Sequence, residues 1–186
     1  MKKYLTLILT VAVLATLLSG CGSKPAATTE ATTAVATEAT TGVDTVTTAS
    51  IVDNADAVIA GLSADGTWIV ATLNNLSTDK EIIVDGLFYN KDDTTSNIYR
   101  KLALYTQDAD HKIIDSFTLT APKMTVKSEN FKIQGGTFIG DVYVEANGFN
   151  LNAATVTGNV YFASQEYMDS FVTDDVSVIT GVKEVK

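Results

Sequence analysis

The chain has 186 residues, 13 Lys and Arg against 22 Asp and Glu, a net charge of −9, and a single cysteine. An acidic surface argues against nucleic acid as a partner and against a folded face lying flat on anionic lipid. One cysteine excludes an intrachain disulfide and a multi-cysteine zinc site, so the fold has to be held by burial and backbone pairing.

The chain opens with Lys2 and Lys3, an apolar run from Tyr4 to Leu18, and then Leu18-Ser19-Gly20-Cys21. That is the order of a charged n-region, an h-region and a small-residue cleavage site. The run is shorter than the roughly 20 apolar residues of a membrane-spanning helix. Leu18 to Cys21 resembles the lipobox of bacterial lipoproteins. The resemblance implies removal of the signal peptide 1–20, acylation of Cys21 with a diacylglyceryl group (palmitate being one such chain), and attachment to the extracytoplasmic side of the cell membrane. An ordinary secretory signal is the alternative. Without Lys2 and Lys3 the mature chain keeps 11 Lys and Arg against 22 Asp and Glu, a net charge of −11.

Residues 21–50 follow as a tether. From Gly22 to Ser50 more than half of the positions are Thr or Ala, and none is aromatic. Such a stretch cannot offset its own ordering entropy, so it reads as a disordered stalk.

Residues 51–186 read as the folded domain. Asp53 to Leu62 predicts a short helix, with Asp53 as its cap and Ala55, Val58, Ile59 and Leu62 on one side. After it come short alternating runs: TWIVATL, EIIVDGLFY, KLALYT, SFTLT, KMTVK, DVYVEA and NVYFAS. Each predicts a strand, and KDDTTSN (91–97) and QDADH (107–111) predict loops between them.

The strands carry an 18-residue internal period, seen when 120–137, 138–155 and 156–173 are set under one another. Met124, Val142 and Val160 align, with Val178 continuing the column. Val126, Val144 and Phe162 align, as do Phe131, Phe149 and Tyr167, with Ile113 upstream. Ile133 stands over Leu151, Gly140 over Gly158, and Thr137 over Thr155 and Thr173. Lys123 would stack on Asp141 and Lys127 on Glu145. Such a repeat fits an all-β, single-chain parallel β-helix in which neighbouring coils share one core, roughly seven coils in all, with the 53–62 helix as an N-terminal cap. An antiparallel β-sandwich is the alternative.

The cadence GDVYVEANGFNLNAATVTGNVYFA, within residues 120–165, loosely resembles bactofilins, the polymer-forming bacterial β-helix scaffolds. The resemblance implies a small right-handed β-helix and a structural role. An 18-residue coil also suits a left-handed helix, and an exported, lipobox-bearing chain departs from the cytoplasmic-facing habit of that family.

Chemistry-bearing groups are sparse. His111, the one histidine, sits in DADHK beside Asp108 and Asp110 with no nucleophile-elbow motif. Asp92-Asp93, Asp108/Asp110 and Asp174-Asp175 lack a calcium-loop spacing and read as turn residues. Trp68 reads as core. Tyr143 and Tyr161 share an outward column with Thr125 and Ile179, and form the candidate face for a glycan or protein partner. No catalytic residue, metal or cofactor is expected. The expectation is a non-catalytic, lipid-anchored envelope scaffold; the alternative is a lipoprotein that binds wall glycan or another exported protein. The capping helix at one end, and Lys183 and Lys186 beside Val182 and Val185 at the other, weigh toward a monomer rather than a homopolymer.

Overall fold

The computed structural model describes residues 50–186. The expected signal peptide, Cys21 and the expected tether lie outside the described residues, except that Ser50, assigned above to the tether, begins the first strand. In chain order the elements are β1 (Ser50–Val52), α1 (Ala55–Leu62), β2 (Ile69–Thr72), β3 (Leu76–Ser77), β4 (Ile82–Val84), β5 (Arg100–Ala103), β6 (Tyr105–Gln107), β7 (Ile113–Ser116), β8 (Thr118–Val126) and β9 (Phe131–Gln134). They continue with β10 (Thr137–Val144), β11 (Asn150–Asn152), β12 (Thr155–Thr157), β13 (Val160–Phe162), α2 (Gln165–Asp169), β14 (Val172–Thr173), β15 (Val178–Ile179) and β16 (Lys183–Val185).

The domain is β-rich, and its two large sheets are parallel. One has six strands in the order β1-β2-β5-β9-β11-β14; the other has eight, with β3 and β4 beside β8, β8 beside β10, β10 beside β12 and β13, and those beside β15 and β16. Antiparallel pairing among the described residues is confined to the β6–β7 hairpin and a Tyr89–Ile98 bridge, so the antiparallel sandwich is set aside. The longest run of neighbouring strands is six, one fewer than the seven coils expected.

The 18-residue register is present where the chain is uninterrupted. Met124 pairs with Val142 and Val142 with Val160; Val126 pairs with Val144 and Val144 with Phe162. Ile133 pairs with Leu151, and Thr137 with Thr155. All the apolar members of these pairs are buried, and they join Leu102, Leu119, Phe131, Phe138, Phe149 and Val156 in one core. At roughly 1.5–3 kcal/mol per large apolar side chain removed from water, this shared core is the main source of stability. Phe131 stacks on Phe149 with ring centres 6.3 Å apart.

The register fails where segments are inserted. α2 lengthens the last step, so Val160 pairs with Lys183 and Tyr161 with Glu184, not with Val178 and Ile179. Val178 and Ile179 pair instead with Thr155 and Val156, and Thr173 with Leu151. Tyr167 lies in α2, and Phe171 takes its place against Phe149, with ring centres 5.6 Å apart. Ile113 is not above Phe131: it lies in the antiparallel hairpin and is exposed, and Arg100 occupies that register position.

The expected charge ladder forms as a register without ion pairs. Lys123 does sit opposite Asp141. Its ammonium instead reaches Glu81 at 2.9 Å, while the Asp141 carboxylate accepts the backbone and side-chain N–H groups of Asn159. No Lys127–Glu145 bridge forms; the ion pairs among the described residues are Lys80–Asp56 and Lys123–Glu81.

The helix forms where it was expected, with one change of cap. Asn54, not Asp53, accepts the Ala57 N–H, at 2.8 Å. Val58 and Leu62 are fully buried against the start of the core. The repeated glycines have a steric cause. Gly140 and Gly158 take φ of 142° and 152°, and a Cβ at Gly158 would strike the carbonyl oxygen of Gly140, as one at Gly140 would strike that of Ala121.

Candidate functional site

Alternation along β10 and β13 turns Tyr143 and Tyr161 away from the core, because Val142, Val144, Val160 and Phe162 fill it. The two tyrosines are register partners with ring centres 5.0 Å apart and planes inclined by 44°. Thr125 stands next to Tyr143 as expected, and Ile83 next to Thr125. The far end of the column is Glu184, not Ile179, because α2 shifts the last strands.

Lysines cover this column. The Lys186 ammonium lies 4.0 Å from the centre of the Tyr161 ring, and Lys123 lies 5.1 Å from that of Tyr143. Tyr161 is left 9% exposed. The Thr125 hydroxyl donates to Glu81 at 2.6 Å. That hydroxyl and the Lys123 ammonium hold the Glu81 carboxyl below its usual range, and the same contact raises Lys123. The cleft beside the pair, lined by Tyr143, Glu145, Tyr161 and Lys186 among others, holds about 140 Å³. Ligand pockets usually run from about 300 Å³ upward. A sugar ring needs a free aromatic face, and at Tyr161 that face is taken by Lys186. What the arrangement does chemically is pair aromatic rings and cations across adjacent strands, which fixes register.

The other candidates resolve into turns. His111 has φ 62° at the tip of the β6–β7 hairpin, and its Nδ1 lies 2.9 Å from the Gln107 amide. Asp108 accepts the N–H groups of Asp110 and Lys112, which closes that turn. Asp93 accepts from the N–H and hydroxyl of Thr95. Asp174 accepts from the Asn152 amide and from Ser177, Ala153 and Val176, and the last three, the Ser177 contact first, hold it below its ordinary carboxylate range. Among the described residues, no group of three or more His, Cys, Asp or Glu is placed to hold a metal ion. Trp68 is buried, with Tyr99 at 6.0 Å between ring centres.

Three cations were not singled out in the sequence. Arg100 and Lys101 are buried, and Lys132 pairs with Lys101 in the register of the six-stranded sheet. Their signal was the Arg100-Lys101 dipeptide opening an apolar strand, where two charged residues in succession require one to face inward.

No family model, curated protein or solved structure matches this chain. Among the described residues, no helix is long and apolar enough to cross a membrane.

Proposed function

We propose that the chain is a lipid-anchored, non-catalytic scaffold protein of the bacterial cell envelope. In this reading Cys21 carries the lipid, the Thr/Ala-rich segment acts as a stalk, and residues 51–186 form a right-handed parallel β-helix with an 18-residue coil. The observation that carries it is the repeated parallel register Met124–Val142–Val160, with one core running through successive strands. The last strands leave Val176, Val178, Val182 and Val185 exposed, and Lys183 and Lys186 lie back over Phe171 and Tyr161. Cation-covered rings at that end favour a monomer over a polymer.

The test is metabolic labelling of the full chain with a fatty-acid analogue, with light scattering on the purified protein. Acyl label on the wild type, its loss with release of Cys21→Ser from membranes, and a constant monomer mass are expected. An unlabelled wild type would remove the anchor from this reading, and growth in mass with concentration would replace the monomer by a polymer.

The second reading is a lipoprotein that presents an outer face to wall glycan or another exported protein. The adjacency of Tyr143 and Tyr161 on an outward column favours it.

A further inference from the structure

On the outward side of the six-stranded sheet, Lys101 pairs with Lys132, Lys132 with Asn150, and Asn150 with Val172. Neighbouring strands lie about 4.8 Å apart, so two lysines start side by side. Like charges directly opposite across a strand pair are destabilising. Lys101 is only 8% exposed. Its ammonium lies 3.4 Å from the Tyr105 hydroxyl and 3.3 Å from Gln134 Oε1, both long for N–H···O bonds. Neither lysine forms an ion pair with a carboxylate among the described residues. Burial, and then the neighbouring Lys132, push the Lys101 ammonium down to about 8. In a chain with 22 acids against 13 bases, two adjacent cations form a site that lacks an ion-paired counter-charge among the described residues.

A groove opens on the Lys132 side of this pair. It holds about 450 Å³ and is lined by Asn97, Tyr99, Asn130, Lys132, Asn150 and Val172, among others. That volume lies within the usual range of ligand sites. The Lys132 ammonium is 5.5 Å from the centre of the Tyr99 ring, and the Trp68 ring packs against Tyr99 with centres 6.0 Å apart. The Asn130 amide donates to the Ile98 carbonyl at 3.1 Å, which fixes that wall. Asparagine amides both donate and accept, as sugar hydroxyls require. Lys132 lies over the Tyr99 ring as Lys186 lies over Tyr161, so the asparagine amides, not a free aromatic face, are what a sugar would use here and a bare inorganic anion would not.

We propose that this groove binds a carboxylate-bearing saccharide: Lys132 takes the carboxylate, Lys101 adds its field from the adjacent strand, and Asn97 and Asn150 bind hydroxyls. The inference deepens the second reading above by giving it a ligand class and a face other than the tyrosine column, and it depends on neither the lipid nor Tyr143 and Tyr161.

Titration calorimetry on the full chain tests it, with trigalacturonate as ligand, maltotriose as neutral control and inorganic phosphate as bare anion. Trigalacturonate should bind at least about tenfold more tightly than either control, a difference of about 1.4 kcal/mol. Lys132→Gln should weaken that binding about tenfold, Lys132→Arg should restore it, and Tyr143→Ser should leave it unchanged. Lys132 is only partly buried, and retained thermal unfolding of Lys132→Gln separates lost binding from lost fold. Absent binding, equal binding of maltotriose or phosphate, or undiminished affinity in Lys132→Gln would each overturn the site. Cys21→Ser should bind as the wild type does, so loss of the anchor and loss of the site are read separately.

Discussion

Arg100 stands in register with Phe131, in the column where the following strand places Phe149. Its guanidinium is fully buried and unpaired with any carboxylate among the described residues. Instead it donates to the carbonyls of Gly61 and Ser63, both at 2.8 Å, of Thr67 at 3.1 Å and of Asp85, and to the Ser128 hydroxyl at 3.2 Å. The Phe88 ring lies 4.0 Å from the guanidinium carbon. Gly61 and Ser63 are the end of α1, where unsatisfied carbonyls and the negative end of the helix dipole collect. Arg100 therefore fastens α1, the 85–88 loop and β5 to one another. Burial lowers its pKa to about 10, which leaves it charged at neutral pH.

Replacing Arg100 should therefore cost more than its lost apolar contacts. Arg100→Met takes the donor from the carbonyls of Thr67 and Asp85, while those of Gly61 and Ser63 keep the Thr67 and Gly66 N–H groups; we expect a loss in urea denaturation of about 1–3 kcal/mol for each acceptor left without a donor. Arg100→Lys should recover little, because one ammonium cannot span the positions of a planar five-donor fork. Full recovery by lysine would show that charge alone matters there.

The stretch from β8 to β13 was legible because its 18-residue period is broken only by a one-residue shift between Ile139 and Asp141, before which Thr137 and Phe138 pair with Thr118 and Leu119: Met124, Val142 and Val160 can be aligned by eye and do pair. The glycine column was legible for the same reason, since Gly140 and Gly158 meet the same backbone obstacle one step apart. Upstream the steps are longer: Leu102 pairs with Ile133, and Ile82 with Met124. The β6–β7 hairpin lengthens both steps, and the 85–99 segment lengthens the second further. Insertion lengths carry no periodic signal, so Ile113 was placed where Arg100 belongs. α2 misled in the same way: Tyr167 fits the aromatic column by count, yet Ser164 caps a helix there by accepting the Tyr167 N–H at 3.3 Å. The buried cations were illegible because strand alternation sets the facing of a residue but not what the neighbouring loops fold over it.

Lys101 makes stability depend on pH in a direction opposite to most surface lysines. Its folded pKa is about 8 against an ordinary value of 10.5. Below about pH 8 the group is protonated whether the chain is folded or not. Between about 8 and 10.5 the unfolded chain binds a proton that the folded chain does not, so folding stability rises with pH across that window. Urea denaturation at points from pH 7 to pH 10 should show the rise. Lys101→Met should flatten it and be the more stable protein at pH 7. Lys132→Gln should shrink it without abolishing it, because the neighbouring charge is the lesser cause after burial. A slope unaltered in Lys101→Met would assign it to another group. Above pH 10 the sign reverses as Tyr99 enters: burial raises it to about 12, so the folded chain then holds a proton that the unfolded chain has lost.

The tyrosine pair separates the two functional readings. Tyr161 is enclosed by Tyr143, by the Lys186 ammonium and by its own strand neighbours, whereas Tyr143 keeps a partly open edge. If the column serves the register of the strands, Tyr161→Ser should lower stability by about 1–2 kcal/mol, from the aromatic pair and the cation contact together. Tyr143→Ser should cost less, and neither should change retention of the protein by isolated cell envelopes. Retention is to be measured with both variants still folded by circular dichroism. Loss of retention in both variants at unchanged stability would transfer the argument to recognition through this face. The covering lysine supplies a further discrimination. Lys186→Gln removes the cation but leaves both rings, so under the structural reading it should lower stability by the cation–π contribution alone, about 0.5–1 kcal/mol. Under the recognition reading it should uncover the Tyr161 ring and strengthen retention instead.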